Sequence, residues 1–478
     1  MPWDVLSKIL TRAESDNGSV AVVDRTATLT YPELIDRAEL MAAALRDAGV
    51  GAGDRVAVRT THSCGDVVSL LAAMSVDATV VPYDSEWPSS RRRAVVEDAG
   101  ASVELLEGEV VPVALRSSRQ VDTKAMSALA LLMYTSGSTG IPRGVMLARE
   151  QIEFCLEMIN ERLRYSHGDH VLSPIRLSFD YGLYQMLLSL SVRATLFLCN
   201  PSGEFGWFQR AVEWSSATVL ALTPSLARLA TVKSNPLAMS NVLRLVTLTG
   251  EPVDRSVLER IASLAPNAGI VTMYGITECK RVSISEPNEW KVSATSSGTP
   301  LRDTEVVIRD GSGRTVSPGT VGRIHVRGPH LAVGYWRDPI STSLKFPTID
   351  GVRELDTEDL GMLDLDGRIH VVGRLGDGYK ERGHRVSVAE IEVAARSCAG
   401  VEAAVCVPPH EAGRSTLFAV CGDDVSRATL IEHMASFLGT ERLPQRFVRL
   451  AAIPLTSNGK PDRATLRALA RDDVSGGW

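Results

Sequence analysis

Apolar residues over roughly the first 370 positions follow two alternating patterns. Stretches with a helical period, at residues 33–49, 89–100 and 147–163, predict amphipathic helices. Short continuous apolar runs predict buried strands, and they occupy residues 55–59, 128–134, 217–222, 244–249 and 305–310. Helices that alternate with such strands predict an α/β fold in which sheets are flanked by helices.

The pattern shifts toward strands and turns from about residue 300, and the glycine-dense stretch GRLGDG (373–378) is a candidate domain boundary. Two helix-like stretches and three strand-like runs follow it, which predicts a small α+β domain. We therefore predict a large multi-layer N-terminal domain (1–375) and a small C-terminal domain (376–478).

The loop YTSGSTGIPRG (134–144) lies between two apolar elements. Its glycines allow backbone N–H groups to approach a ligand, and its hydroxyls add hydrogen-bond donors, which is typical of a phosphate cradle. A strand before the loop and a helix after it would give the geometry that collects phosphates. A flexible linker is the alternative. The P-loop pattern GxxxxGK[ST] is absent.

Composition narrows the class of protein. The 478 residues are 44% hydrophobic and 23% charged, with a net charge of −6 and seven scattered cysteines without a CxxC pair. The charge argues against a nucleic-acid partner, and the cysteine spacing argues against a disulfide framework or a zinc site. No apolar run is long enough to span a bilayer, and the N-terminal stretch is unlike a signal peptide. We predict a cytoplasmic enzyme with no membrane partner.

Ordered motifs along the chain resemble those of adenylate-forming enzymes, the superfamily of acyl-CoA synthetases, peptide-synthetase adenylation domains and luciferases. The motifs are YTSGSTGIPRG, MYGITE (273–278), TEDLG (357–361), GRLGDGYKERGHRVSVAEIE (373–392) and PLTSNGKPDR (454–463). Weaker matches at residues 29–58, 81–102 and 249–252 extend the resemblance over nearly the whole chain. The stretch VPYDSEWPSSRRR resembles the amino-acid-activating branch most.

The resemblance implies a two-step reaction with ATP and Mg²⁺ as cofactors. A carboxylate attacks the α-phosphate to give an acyl adenylate and pyrophosphate, and a thiol then takes the acyl group. It also implies that the small domain is mobile and that Gly376 lies at its hinge.

The resemblance assigns nucleotide contacts to several positions. Glu278 would bind Mg²⁺, Thr277 would contact the α-phosphate and Tyr274 would stack on adenine. Asp359 would accept the ribose hydroxyls, with support from Arg374. The other implied contacts are Thr135, Ser136, Gly137, Ser138, Thr139, Gly140 and Arg143 at the phosphates, and Gly250, Glu251, Pro252 and Gly275 around the adenine. Taken alone, Glu278 could be a solvated carboxylate and TEDLG a simple turn.

Lys460, in the turn SNGKPD, occupies the position of the superfamily's catalytic lysine. Its ammonium could neutralise the substrate carboxylate and the α-phosphate as negative charge develops. A solvated Asn-Gly-Lys turn is the alternative.

The stretch LSFDYGLYQML (177–187) carries the substrate side of the resemblance. Asp180, after Phe179, matches the aspartate that pairs with the α-ammonium of an amino acid. The implied pocket lining is Tyr181, Tyr184, Ala221, Thr247, Thr249, Met273, Arg281 and Val282. A buried Arg281 needs an acidic or polar partner, either a substrate oxygen or Asp180 itself. We expect a polar or hydroxylated amino acid.

Some positions depart from the superfamily pattern. Arg143 stands where lysine is usual and keeps the charge. Glu358 replaces a glycine, Gly376 replaces an acidic or basic hinge residue, and Glu381 and Ser387 alter the run around Lys380. The last three changes bear on the second half-reaction more than on the first.

Three hypotheses follow. The first is an enzyme that loads an amino acid onto a separate carrier protein. The second is an adenylase or CoA ligase for another carboxylic acid, or an enzyme with a non-thiol acceptor. The third is a non-catalytic partner-binding relative, which Lys460, Glu278 and Asp359 argue against. A lysine-AMP nucleotidyltransferase is disfavoured because KERG (380–383) is not KxDG.

Overall fold

The helices and strands of the computed structural model fall largely where the apolar pattern predicts them, and the α/β class is confirmed. The structure describes residues 3–11, 18–106, 108–113, 129–135, 143–200, 207–232, 242–374, 378–381, 384–409, 414–456 and 460–471.

The helices of the described residues are numbered in chain order. They are α1 (Asp4–Leu10), α2 (Tyr31–Asp47), α3 (Cys64–Ser75), α4 (Ser89–Ala99), α5 (Arg149–Leu163), α6 (Asp180–Ser191), α7 (Trp207–Ser215), α8 (Pro224–Val232), α9 (Arg255–Leu264), α10 (Pro339–Lys345), α11 (Val388–Arg396), α12 (Arg427–Leu438) and α13 (Arg463–Arg471).

The strands are β1 (Val20–Val23), β2 (Thr28–Thr30), β3 (Arg55–Thr60), β4 (Thr79–Asp84), β5 (Val103–Leu106), β6 (Glu109–Pro112), β7 (Leu129–Thr135), β8 (Arg143–Ala148), β9 (His170–Ser173), β10 (Thr195–Leu198), β11 (Val219–Leu222), β12 (Leu245–Leu248), β13 (Gly269–Tyr274), β14 (Ser283–Ile284), β15 (Thr299–Pro300), β16 (Glu305–Arg309), β17 (Gly322–Arg327), β18 (Gly334–Tyr335), β19 (Thr348–Ile349), β20 (Val352–Arg353), β21 (Leu355–Leu363), β22 (Ile369–Arg374), β23 (Gly378–Glu381), β24 (His384–Ser387), β25 (Val401–Val407), β26 (Thr416–Cys421) and β27 (Arg446–Arg449).

Local sequence explains why α2 forms where it does. Thr30 caps its N-terminus by accepting a hydrogen bond from the Glu33 N–H, while the Glu33 carboxylate accepts from the Thr30 N–H. This capping box stabilises a helix start by about 1 kcal/mol. The face with Leu34, Ile35 and Leu45 is buried, so the helical period of the apolar residues fixes which side packs inward.

Two sheets carry most of the N-terminal part. One has the strand order β15-β14-β13-β12-β11-β9-β10-β1-β2, and the other has the order β18-β8-β7-β4-β3-β5-β6. Strands β9, β11, β12 and β13 are parallel neighbours. Their carboxyl ends therefore lie along one edge, which is where ligands bind in open α/β sheets.

The predicted strand–loop–helix order around residues 134–147 is wrong. The loop is followed by strand β8, which pairs antiparallel with β7, with Thr135 opposite Arg143 and Tyr134 opposite Gly144. Helix α5 begins only at Arg149. Residues 143–148 pair along β7 and bury Val145 and Leu147 in the sheet. The described residues on either side of the loop are therefore two paired strand ends, and the helix N-terminus at Arg149 follows the second strand.

Contacts divide the chain into two compact units, Met1–Val306 with Val326–Leu355, and Val307–His325 with Asp356–Trp478. The second unit contains most of a four-stranded sheet with the order β16-β17-β21-β22. The predicted domain boundary at residues 375 and 376 stays a prediction, and the predicted hinge residue Gly376 lies outside the described residues.

The last hundred residues of the second unit contain the predicted helices and strands. Strands β25, β26 and β27 form one sheet. Ile391 of α11 and Leu430 of α12 share a buried cluster with Phe447. Phe418 belongs to a separate buried cluster with Leu466 of α13. Alternate residues of the sheet thus enter different clusters, as strand geometry requires.

Candidate functional site

The carboxyl ends of β12 and β13 bring two of the sequence motifs together. Thr249 follows β12 and starts the TGEP turn, and Tyr274 ends β13 within MYGITE. The Thr249 hydroxyl donates to the Met273 carbonyl at 3.1 Å. Parallel pairing therefore places the two segments that are predicted to contact adenine side by side. The first segment, after β12, is Gly250, Glu251 and Pro252, and the second, at the end of β13, is Tyr274 and Gly275.

Glu278 is buried, with 9% of its surface exposed, so it is not a solvated surface carboxylate. The Tyr335 hydroxyl donates to its Oε1 atom at 2.6 Å. The Arg143 guanidinium lies 5.6 Å from the centre of the Tyr335 ring. Tyr335 therefore joins the end of the glycine-rich loop to Glu278. Sequence reasoning missed Tyr335 because it belongs to none of the motifs.

A single carboxylate at this position fits Mg²⁺, which is usually bound through one or two carboxylates together with substrate phosphates. Among the residues that the structure describes, no group of three or more His, Cys, Asp and Glu side chains could hold a metal by itself. Thr135 and Arg143 face each other across the hairpin. Ser136, Gly137, Ser138, Thr139 and Gly140 lie outside the described residues.

Asp180 begins α6 and forms an ion pair with Lys280, with 3.6 Å between its Oδ2 and the lysine Nζ. Both residues are buried, at 7% and 3% exposure. The Lys280 ammonium also lies 4.5 Å from the centre of the Tyr184 ring, a favourable cation–π distance. Among the described residues Asp180 thus has Lys280, and not Arg281, as its ion-pair partner. Its pairing with a substrate ammonium stays a prediction.

Arg281 is 3% exposed and donates from Nη1 to the Thr249 hydroxyl at 2.5 Å. Its Nε atom is buried and has no hydrogen-bond partner among the described residues. The guanidinium lies 5.6 Å from the centre of the Tyr181 ring. No ion pair between Arg281 and a carboxylate occurs in the described part of the chain, where its guanidinium contacts a hydroxyl and a ring face.

The remaining predicted pocket residues lie around this cluster. The Tyr181 hydroxyl hydrogen-bonds the Thr247 hydroxyl at 2.6 Å. Burial is common to the lining residues Tyr181, Tyr184, Ala221, Thr247, Thr249, Met273 and Val282, while Phe179, next to Asp180, is half-buried. The wall is thus largely closed to water, which strengthens the fields of its charged groups.

Burial also governs the titration of this cluster. It lowers the pKa of Lys280 to about 7, although the Asp180 charge acts in the opposite direction. It raises the pKa of the Cys155 thiol to about 12 and that of the Tyr181 phenol to about 12. Cys155 and Tyr181 are therefore neutral at physiological pH.

Asp359 and Arg374 are paired across β21 and β22, with 3.8 Å between Arg374 Nε and Asp359 Oδ1. This ion pair is the contact expected between Arg374 and Asp359, and the ribose contact of Asp359 stays a prediction. Glu358 has a φ of 64°, in the left-handed region that favours glycine. The backbone conformation therefore explains why glycine is usual at this position. Glu358 adopts the same conformation with some backbone strain.

Lys460 closes a tight turn in the second unit. Its carbonyl accepts a hydrogen bond from the Thr456 N–H at 2.7 Å, and its N–H donates to the Thr456 hydroxyl at 3.3 Å. The adjoining Leu455 and Pro461 form an antiparallel bridge. These contacts fix the backbone at Lys460, and its catalytic role stays a prediction.

Replacing Tyr335 by Phe is expected to lower the activity of this site about tenfold, because Glu278 would lose the hydrogen bond that orients it. ATP–pyrophosphate exchange as a function of Mg²⁺ concentration measures the effect, which should appear as a higher Mg²⁺ requirement. Tyr83→Phe is the matched control, since it removes a hydroxyl that donates to Glu104 at 2.5 Å. Equal Mg²⁺ curves for the two variants would contradict the role of Tyr335.

Comparisons with known proteins agree with this geometry. Residues 10–126 and 104–336 match the family described as AMP-binding enzyme. Gramicidin S synthase 2 of Brevibacillus brevis is 30% identical over 473 residues, which cover 94% of this chain and 11% of that much longer protein.

Two solved structures are similar over almost the full chain. Klebsiella oxytoca NpsA, in complex with 3-hydroxyanthranilyl-AMSN, is 26% identical with a TM-score of 0.82, and 98% of each chain is covered. The amide bond synthetase McbA from Marinactinospora thermotolerans is 26% identical with a TM-score of 0.79, covering 98% of this chain and 99% of that one. No described helix has the length and apolar character to cross a membrane.

The match spans more than half of the chain, and two of the motifs that it contains, TGEP and MYGITE, lie together at the carboxyl ends of β12 and β13. The chain therefore belongs to the AMP-binding enzyme family and is an adenylate-forming ligase.

Proposed function

We propose that this enzyme activates a small carboxylic acid as its acyl adenylate and transfers the acyl group to the phosphopantetheine thiol of a separate carrier protein. The observation that carries the first step is the meeting of TGEP and MYGITE at one sheet edge, with Glu278 held by Tyr335. The similarity to gramicidin S synthase 2 supports the carrier protein as acceptor.

Each residue has one task in the proposed first step. The loop that ends at Arg143 binds the β- and γ-phosphates, Tyr274 stacks on the adenine and Asp359 accepts the ribose hydroxyls. When Mg²⁺ is bound, Glu278 would hold it, and the ion would neutralise phosphate charge. Lys460 stabilises the charge that develops between carboxylate and α-phosphate. Binding both reactants in line provides the rest of the acceleration.

The ion pair between Asp180 and Lys280 bears on the choice of acid. An α-ammonium needs the Asp180 carboxylate, and a buried lysine already lies beside it at 3.6 Å. Placing a second cation there without an extra anion would be costly in a buried site. The pair therefore favours the alternative in which the acid has no α-ammonium, while activation of an amino acid stays a prediction that substrate assays decide.

A second candidate for the later step is amide formation with a non-thiol acceptor, which the similarity to the amide bond synthetase McbA supports. The two candidates share the adenylation step. They differ in whether the adenylate is captured by a thiol or by an amine.

The test is ATP–pyrophosphate exchange against a panel of aryl, hydroxy, dicarboxylic and amino acids. The activated acid is then incubated with phosphopantetheinylated carrier protein, coenzyme A or a primary amine, and the product is identified by intact-mass spectrometry. A carrier-bound thioester is the expected product. Amide formation without any thioester would replace the first candidate by the second, and no exchange with any acid would refute the adenylation proposal.

Arg143→Ala is expected to raise the KM for ATP about tenfold while leaving the order of preference among acids unchanged, because the guanidinium provides a charge-assisted contact to phosphate. Exchange measured over a range of ATP concentrations gives this KM. Arg149→Ala is the control, since Arg149 pairs with Asp77 at 2.8 Å instead. An unchanged KM for ATP in Arg143→Ala would show that this arginine does not bind phosphate.

A further inference from the structure

The cluster of Asp180, Lys280 and Arg281 contains two buried cations and one buried carboxylate. Asp180 and Lys280 lie 3.6 Å apart, whereas the Arg281 guanidinium donates to the Thr249 hydroxyl and, among the described residues, contacts no carboxylate. A guanidinium stays charged in proteins. The Arg281 guanidinium thus has no carboxylate within ion-pair distance among the described residues, whereas the Asp180 carboxylate lies beside Lys280.

An uncompensated buried cation is costly, and burial itself opposes the charge of Arg281 by lowering its pKa. Its neighbours do not remove the cost. Tyr181 is neutral at physiological pH, because burial raises its pKa to about 12, and so is Cys155 for the same reason. The buried Nε of Arg281 is an unused donor. Of the groups that could satisfy both the charge and the donor, a carboxylate matches the planar guanidinium best.

We propose that the acid activated by this enzyme is a dicarboxylic acid without an α-ammonium, whose second carboxylate pairs with Arg281. Arg281 is then a specificity-determining residue, and the Asp180–Lys280 pair excludes amino acids from the same pocket. This inference rests on the proposed function for the identity of the reaction, but it concerns the binding of the acid, which can be measured without ATP.

The backbone at Lys280 has an uncommon conformation close to the pocket. Lys280 has a φ of 55°, in the left-handed region that L-residues other than glycine rarely adopt. Val282, two residues later, donates its N–H to the Tyr274 carbonyl at 2.9 Å. The strained residue therefore lies in a turn that is anchored at the pocket, where such strain is commonly retained for function.

The first experiment compares acids of equal length as the monocarboxylic, dicarboxylic and α-amino forms. Isothermal titration calorimetry measures their binding without ATP, and pyrophosphate exchange measures their activation. Wild type should prefer the dicarboxylic form by about 10- to 100-fold over the monocarboxylic form. Arg281→Met should weaken binding of the dicarboxylic acid much more than binding of the monocarboxylic acid and so abolish that preference, and Arg281→Lys should retain part of it.

Equal binding of the mono- and dicarboxylic acids by wild type, or an unchanged preference in Arg281→Met, would overturn the inference. Selective dicarboxylate binding with no exchange for any acid would support the inference and refute the proposed function. Exchange confined to monocarboxylic or amino acids would refute the inference and support the proposed function.

The second experiment tests the exclusion of amino acids. Lys280→Met removes the cation from Asp180, so kcat/KM for the α-amino acids should rise at least about tenfold. The double variant Asp180→Asn/Lys280→Met is the control, because it lacks both charges and should show no such gain. Thermal unfolding of each variant establishes that the compared proteins are folded. If the single and double variants activate amino acids equally, Asp180 is not the ammonium partner and the exclusion is refuted.

Discussion

Lys460→Ala is expected to lower the rate of ATP–pyrophosphate exchange about 10²- to 10³-fold, the loss typical of removing one group that stabilises transition-state charge. In the proposed reaction the carboxylate and the α-phosphate oxygens approach one another, and their repulsion is greatest at the point of attack. A compact ammonium on a flexible stem can contact both. Because its role is confined to that point, the KM for ATP should change much less than kcat.

The structure indicates why this loss should be chemical and not a consequence of unfolding. The turn is closed by backbone atoms of Lys460 and by Thr456, and the lysine side chain takes no part in these hydrogen bonds. The free energy of unfolding should therefore match that of wild type. Lys8→Ala provides a control, since Lys8 forms an exposed ion pair with Asp4 within α1. Lys460→Arg should recover only part of the rate. Exchange within threefold of wild type in Lys460→Ala would contradict the assignment.

Much of the fold could be predicted because local and tertiary preferences agree. The stretch 33–49 has a strong helical period, and helix α2 extends over Tyr31–Asp47, where Thr30 and Glu33 form a capping box. The run 55–59 is continuously apolar at its centre, and β3 extends over Arg55–Thr60 with Val56, Ala57 and Val58 fully buried. In such segments the burial of side chains and the backbone hydrogen bonds select the same element.

The segment after the glycine-rich loop was predicted incorrectly because its local pattern is ambiguous. Residues 145–148 read VMLA, which is compatible with either the first turn of a helix or a buried strand. Pairing with β7 decides between them, and this pairing is a tertiary interaction that periodicity does not record. The incorrect element order also affected the predicted mode of phosphate binding, since it placed a helix N-terminus at the phosphate loop.

The substrate cluster shows a different limit of sequence reasoning. The sequence placed Lys280 beside Arg281 and indicated that a buried cation needs a partner, but it did not indicate which cation faces Asp180. That choice depends on the left-handed φ of 55° at Lys280, and nothing in its residue type favours this conformation. Tyr335 was missed for a related reason, because 57 residues separate it from Glu278 and only the fold brings them together.

Gly275→Ala is expected to have the second large effect. A Cβ atom at this position would lie 2.1 Å from the Lys280 carbonyl oxygen and 2.9 Å from the Arg281 Cα. Both obstacles are backbone atoms, so no side-chain rotation relieves the clash, and the turn from Tyr274 to Arg281 must open. We expect a loss of about 1–3 kcal/mol in the free energy of unfolding, as for other overpacked sites.

The same opening should lower pyrophosphate exchange by more than the loss of stability explains, because the turn carries Glu278, Lys280 and Arg281 together. Urea unfolding measures the first effect, and exchange well below the unfolding transition measures the second. Gly168→Ala is the matched control, since its Cβ would meet nothing within 4 Å and its φ lies outside the left-handed region. If Gly275→Ala were as stable as Gly168→Ala, within about 0.5 kcal/mol, the close approach would not constrain this turn. If the exchange rate fell while the free energy of unfolding stayed unchanged, the turn would be adaptable in the folded protein. The positions of Lys280 and Arg281 would then depend on the bound acid more than on the backbone.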